Sequence, residues 1–340
     1  MKTGNLTDIT ERILNGGALT FEEALEIAEI QEEDLLELFI YASKLRSHFR
    51  KRFVDLCAII NAKSGACPED CSFCAQSARH KTSVDVYPLV DKEVVMRKAE
   101  EAKGNGVRRF CIVISGRKAS REDLKKIGKF IEGIRNMGLL PCATLGLLER
   151  DELLFLKDHG LERYHHNLET SERFFPNICS THTFKEKLRT IETAKSLGLS
   201  VCSGGIFGLG EEWEDRIDMA LTLRKLQVDS IPINFLIPIK GTPLEDTDML
   251  SPLEALKIVS LYRFILPDRE IRLCGGRAQV LGEFNSMIFF AGADAILTGN
   301  YLTTTGRTYS DDLRLISLLG LEIVSEKGNS SGQLQSLFNL

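Results

Sequence analysis

No apolar run in the 340-residue chain approaches the roughly 18 residues that a membrane-spanning helix needs. The N-terminus, MKTGNLTDITER, has no signal-peptide core. Excess positive charge is missing too: 43 Lys and Arg stand against 48 Asp and Glu, a net charge of −5. That balance argues against a nucleic-acid or anionic-membrane surface. The one basic run, Lys44 to Arg52, reads as a solvated helix end. There is no internal repeat and no linker-like region. The expectation is a soluble cytoplasmic protein with no nucleic-acid and no membrane partner. Its 43% apolar residues suffice for one large core.

What is present begins with periodicity. Residues 1–50 read as a helical N-terminal extension, with Thr20 and Glu23 in a capping-box pattern. From residue 54, short apolar runs alternate with amphipathic helices. The strand candidates span 54–60, 109–114, 139–145, 161–167, 199–207, 230–237, 271–273 and 293–297. Ser120 caps a helix closed by Gly138, and Thr183 with Glu186 forms another capping box before a helix ending at Gly198. Ser251-Pro252-x-Glu254 combines an N-cap, a first-turn proline and a box partner, and Pro267 stops that helix. Eight strand–helix units predict an α/β fold, a (β/α)8 TIM-type barrel over residues 51–320, with a doubly wound open sheet as the alternative. Residues 321–340 read as a tail, polar and mobile from Glu326 to Leu340. In such a barrel the chemistry belongs at the C-terminal ends of the strands.

Nine cysteines stand at 57, 67, 71, 74, 111, 142, 179, 202 and 274. In a reducing compartment they are metal ligands or buried thiols rather than disulfides. Cys67, Cys71 and Cys74 fall within eight residues as C-x3-C-x2-C, in GACPEDCSFCAQSARH just after the first strand. Three thiolates in one loop can hold three corners of an iron–sulfur cube and leave one iron for an exogenous ligand. A zinc site made with His80 is the competing reading, and would make the chain a zinc-binding structural module. Cys111, Cys142 and Cys202 lie on three separate strands, where each can face the lumen. Cys57 reads as a core thiol of the first strand and Cys179 as a loop thiol or spare ligand. His165 and His166 are adjacent, so on a strand they point opposite ways.

The loop, with Phe73 before its last cysteine, resembles the signature of the radical S-adenosylmethionine superfamily. The stretches KSGACPEDCSFCAQSARHKT, RFCIVIS, CATLG, HHNLETS, VCSGGIFGLGE, SIPINFLIPIKGTPL and IRLCGGR resemble those of the biotin synthases, in order, from about residue 50 to about 320. The resemblance implies an enzyme that inserts sulfur into dethiobiotin through a 5′-deoxyadenosyl radical. Cys67, Cys71 and Cys74 would bind a 4Fe-4S cluster whose open iron takes S-adenosylmethionine. Cys111, Cys142, Cys202 and Arg272 would hold an auxiliary iron–sulfur cluster that supplies sulfur. Asn167 and Asn234 would contact dethiobiotin, and Glu169 the ribose of S-adenosylmethionine. Gly204 and Gly205 would let backbone approach the cofactor. A low-potential donor, flavodoxin or ferredoxin, and a homodimer are implied as well. Another barrel radical enzyme, a cofactor maturase or a mutase, is the runner-up, and such enzymes tend to lack the trio on the strands.

Two departures matter. Cys274 stands where a small residue such as serine is expected, two residues from Arg272 and on the same strand face. With Cys111, Cys142 and Cys202 it completes four thiolates, the usual complement of a cubane. A four-iron auxiliary cluster ligated by Cys274 is the favoured reading, with the two-iron form ligated by Arg272 as the alternative. Lys187 stands where an arginine would contact the cofactor carboxylate; it keeps the charge but not the bidentate fork.

Overall fold

A computed structural model describes residues 3–302 and 306–324. Three helices lead: α1 (Thr3–Leu14), α2 (Phe21–Ala28) and α3 (Leu35–Arg50). The box predicted at Thr20 forms: its hydroxyl accepts from Glu23 N–H at 3.2 Å, and the Glu23 carboxylate accepts from Thr20 N–H at 2.9 Å. No helix among the described residues is long and apolar enough to cross a membrane.

The strands follow as β1 (Phe53–Lys63), β2 (Arg109–Ile114), β3 (Leu140–Thr144), β4 (Arg163–His165), β5 (Ser200–Cys202), β6 (Gly205–Phe207), β7 (Ser230–Phe235), β8 (Glu270–Leu273), β9 (Ala295–Leu297) and β10 (Glu322–Ile323). All their pairings are parallel, and β9 pairs back with β1. The barrel is therefore closed, as predicted, and the open doubly wound sheet is excluded. The single strand expected over 199–207 is broken into β5 and β6. Gly204 turns its carbonyl to the amides of Leu168 and Glu169, at 2.9 and 3.1 Å, instead of continuing the ladder. β10 adds to β1 outside the ring. The tail expected from Glu326 to Leu340 lies outside the described residues.

The helices among the strands are α4 (Lys92–Gly104), α5 (Arg121–Asn136), α6 (Arg150–Asp158), α7 (Phe184–Ser196), α8 (Trp213–Lys225), α9 (Pro252–Ile265), α10 (Arg277–Leu281) and α11 (Tyr309–Leu318), and α5, α7 and α9 are the three expected from their caps. Ser120 caps α5 by accepting from Asp123 N–H at 3.1 Å, and Thr183 with Glu186 boxes α7. At α9 only half the expected box forms. Ser251 accepts from Glu254 N–H, but the Glu254 carboxylate turns to Arg216 at 2.6 Å. A charge-assisted bond to a buried guanidinium outweighs one to a backbone amide. The leading helices dock on this ring, α2 against α8 and α9 and α3 against α9. The basic run is consequently not just a solvated helix end: Arg46 is buried, and Arg50 Nε donates to Asp294 at 2.5 Å.

Side chains inside the ring fall into layers set by register. Beneath the thiols lies a charged layer of Asp55, Arg163, Glu270 and Arg272. Arg272 donates to Asp55 at 2.5 Å and to Glu270 at 2.6 Å, and Arg163 donates to Glu270 at 2.9 Å. Ser230 Oγ adds a bond to Glu270 at 2.5 Å. Burial alone would raise the Glu270 carboxyl, but Arg272 and Arg163 overcome it and hold the group well below the usual range. Ions buried this deeply persist only when their partners are in place.

Candidate active site

The loop after β1 is built to aim its thiols inward. Gly65 and Ala66 take positive φ of 71° and 49°, which turns the chain sharply just before Cys67. An alanine in that region is strained, and such strain gathers at functional sites. The loop is then closed on itself. Cys67 N–H donates to Gln76 O at 3.0 Å, Ala78 N–H to Cys67 O at 2.7 Å, and Cys74 N–H to Cys71 O at 2.9 Å. His80 spends its Nε2 on the Cys71 carbonyl at 3.0 Å and does not join the thiols.

A cavity of about 400 Å³ runs from this loop into the barrel. Cys67 and Cys71 line its mouth; Cys111, Cys142, Cys202, Cys274 and Arg272 line its depth. β2 and β3 pair Cys111 directly with Cys142, and β4 and β5 pair His165 with Cys202. Cys57 also lines the cavity, which the reading as a plain core thiol missed. It stands two residues before Ile59, another lining residue, so the two share the lumen face of β1.

No three of the thiols in either set come within 4.8 Å of one another. A single tetrahedral zinc ion would need sulfurs about 3.8 Å apart. Both sets fit a multi-iron cluster in donor chemistry, and the zinc site read from the three loop cysteines with His80 loses its support. Burial raises the Cys74 and Cys202 thiols to about 11 each, while Arg163 and Arg272 pull Cys202 back. Metal loading must therefore displace protons. The guanidinium of Arg272 already serves Asp55, Glu270 and the Ile296 carbonyl, the last at 3.0 Å.

Between the two thiol sets runs a line of polar groups. Thr144 Oγ1 lies 3.8 Å from Cys111 Sγ and 3.0 Å from His165 Nδ1. His165 Nε2 lies 2.8 Å from Asn167 Oδ1, and Asn167 Nδ2 lies 3.3 Å from a Glu169 oxygen. The backbone N–H of Gly204 also donates to Asn167 Oδ1, at 3.3 Å. That oxygen is thus an acceptor, so His165 donates from Nε2 and accepts the Thr144 hydroxyl at Nδ1. Half-buried His165 is pushed down to about 4, first by desolvation, so the imidazole is neutral. His165 and His166 both line the cavity, contrary to the alternation argument, because β4 ends at His165.

Glu169 takes a positive φ of 76°, and burial raises its carboxyl. Lys187 reaches it at 3.9 Å and donates to the Asn167 carbonyl at 3.0 Å. Asn234 Nδ2 donates to Gly205 O at 3.1 Å, and Asn234 Oδ1 accepts from Gly275 N–H at 2.9 Å. Gly204 and Gly205 are not on the cavity wall. A Cβ on Gly204 would meet the Pro232 carbonyl at 2.1 Å, and one on Gly205 the Glu169 carbonyl at 2.3 Å. Their close approach is to neighbouring backbone.

Cys179 closes against the mouth. Its sulfur lies 3.8 Å from Cys71 Sγ and 3.3 Å from His182 Nδ1. The hydrogen bond from Cys71, then those from His182 and Thr181, draw the Cys179 thiol down to about 4.

Residues 62–223 match the Radical SAM superfamily, and residues 232–322 match the Biotin and Thiamin Synthesis associated domain. A biotin synthase of Thermodesulfovibrio yellowstonii is 57% identical over 88% of this chain and 94% of its own length. A biotin synthase of Geobacter sulfurreducens is 50% identical over 93% of this chain and 96% of its own. The crystal structure of a methylornithine synthase superposes with a TM-score of 0.82 at 22% identity, covering 94% of this chain and 98% of that one, which speaks to the barrel alone. With that identity spanning both cysteine sets, the chain belongs to the biotin synthase family.

Proposed function

We propose that this chain converts dethiobiotin to biotin, with radical generation at the mouth of the barrel and sulfur supply at its depth. The observation that carries the reading is one cavity lined by Cys67 and Cys71 of the loop and by all the strand cysteines, with amide and carboxylate side chains between them; Cys74 lies behind its wall. When bound, a 4Fe-4S cluster with S-adenosylmethionine supplies a 5′-deoxyadenosyl radical, and an auxiliary iron–sulfur cluster supplies the sulfur.

The remaining work belongs to side chains. Cys67, Cys71 and Cys74 hold the first cluster by three points, leaving one corner for the cofactor. Lys187 offers the cofactor carboxylate a buried positive charge, and Glu169 accepts from ribose hydroxyls. A cyclic urea presents two N–H donors and one acceptor oxygen. Asn167 keeps one N–H free of its internal bonds, and Asn234 one N–H and one lone pair. The apolar wall of Ile59, Val113 and Leu297 excludes water from a reactive intermediate.

At depth, we assign Cys111, Cys142, Cys202 and Cys274 as ligands of a four-iron auxiliary cluster. The prior commitments of Arg272 favour this over ligation by its guanidinium. Cys57 then stands beside the cluster as a fifth thiol. Residues 51–320 act as the catalytic unit, with 1–50 as its helical extension and 321–340 as a tail that starts on β10, the strand paired to β1. The setting is the cytoplasm, the protein a homodimer, and the electron donor a low-potential flavodoxin or ferredoxin. Anaerobic reconstitution with iron, sulfide, S-adenosylmethionine and dethiobiotin should yield biotin and 5′-deoxyadenosine together. Deoxyadenosine without biotin would leave a radical enzyme acting on another substrate.

A further inference from the structure

Cys179 and His182 have no part in the function proposed above, yet they are held with care. Among the described residues, Cys71, Cys179 and His182 alone bring three metal-binding atoms of histidine, cysteine or carboxylate within 4.8 Å of one another. The two sulfurs are 3.8 Å apart, and His182 Nε2 is 3.8 Å from Cys179 Sγ. A tetrahedral ion with metal–sulfur bonds of about 2.3 Å sets thiolates about 3.8 Å apart, and a thiolate and an imidazole nitrogen about 3.5 Å. His182 Nδ1 is bonded to the buried Glu69 carboxylate, the arrangement that orients a metal-bound imidazole through its far nitrogen. Cys179 is fixed from the other side by Asp70 Oδ1 at 3.2 Å. Asp70 is in turn anchored by the amides of Ser180 and Thr181, at 3.0 and 3.2 Å. Both cysteines, the histidine and the two carboxylates thus form one framework across two loops.

We propose that the chain without its clusters holds one divalent transition-metal ion, of the zinc and ferrous class, on Cys71 Sγ, Cys179 Sγ and His182 Nε2. The fourth position is left to solvent. The site rests on the preceding reading only in sharing Cys71 with the radical cluster. Because of that sharing, the ion and the cluster alternate and never coexist. The site is an entry position: an iron captured there already holds one of the three cluster thiols. Building the cluster requires that iron to keep Cys71 and give up Cys179, His182 and its solvent ligand for three sulfides, while Cys67 and Cys74 each take another iron.

Cobalt(II) titration of the anaerobic, cluster-free chain tests this, with Cys111, Cys142 and Cys202 changed to serine to silence the barrel depth. One equivalent should bind with the intense visible bands of a tetrahedral site and thiolate-to-cobalt charge transfer. Zinc X-ray absorption should show two sulfur and two light-atom neighbours. Cys179→Ala and His182→Gln should each weaken binding roughly tenfold or more, whereas Cys67→Ser should leave it in place. Binding lost with Cys67→Ser and unchanged in Cys179→Ala would overturn the proposal, as would an octahedral cobalt spectrum. Circular dichroism of each variant controls for folding. The outcome separates from the radical-cluster reading. Cys179→Ala loaded with iron and sulfide should still form a four-iron signal, and a chain that gave none even as wild type would sink that reading while the cobalt result stood.

Discussion

His165 Nε2 stands 2.8 Å from Asn167 Oδ1 and fixes which way that amide faces. Because Gly204 N–H donates to the same oxygen, the amide presents only its second N–H to a ligand. His165→Ala removes one of the three bonds holding this orientation, a loss of about 1–1.5 kcal/mol. The KM for dethiobiotin should rise roughly tenfold, with a smaller change in kcat. His165→Gln, which keeps a donor and an acceptor, should restore most of it. Steady-state kinetics with both variants decide this, and equal losses in kcat and KM terms would assign His165 a general structural role.

Acid should loosen the fold by way of the same side chain. His165 is neutral in the folded chain, with its pKa depressed to about 4, against about 6.5 when unfolded. The unfolded state therefore binds the extra proton first. The stability is fully present above pH 6.5 and is lost as pH falls from there toward 4, amounting to about 3 kcal/mol. Urea melts between pH 8 and 4.5 should show this loss, and His165→Gln should flatten it in part, His166 being depressed as well.

Cys274→Ser should lower the iron of the auxiliary centre and change its Mössbauer spectrum, while the signal of the first cluster persists. Cys57→Ser should leave both unchanged, since four thiolates already complete a cubane. If iron falls in the Cys57 variant and not in the Cys274 variant, the two cysteines trade places in the assignment.

Glu270→Gln strips the charge that Arg163 and Arg272 share. Breaking a buried ion network from one side costs about 3–5 kcal/mol. The variant should melt well below wild type even before clusters are loaded, a difference visible by circular dichroism.

Much of this was legible in the residues. Strand positions followed from apolar runs, and caps at Thr20, Ser120 and Thr183 from local chemistry, because both depend on neighbours in sequence. The mouth triad was readable for the same reason. Cys57 was not, because alternation tells which residues share a face but not which face looks inward. The chain from Thr144 through His165 to Asn167 joins two strands at one height, and only the β3–β4 register sets that height. Glu254 left its expected box because Arg216, 38 residues away in sequence, arrived beside it. The approach of Gly204 to Pro232 is likewise a fact of tertiary packing.

The buried charged layer of Asp55, Arg163, Glu270 and Arg272 lies at the same end of the cavity as Cys111 and Cys142, and Cys67 and Cys71 line the other. If both clusters bind as proposed, the outer one stands between the mouth and the inner thiols, and the inner one is expected to be loaded first.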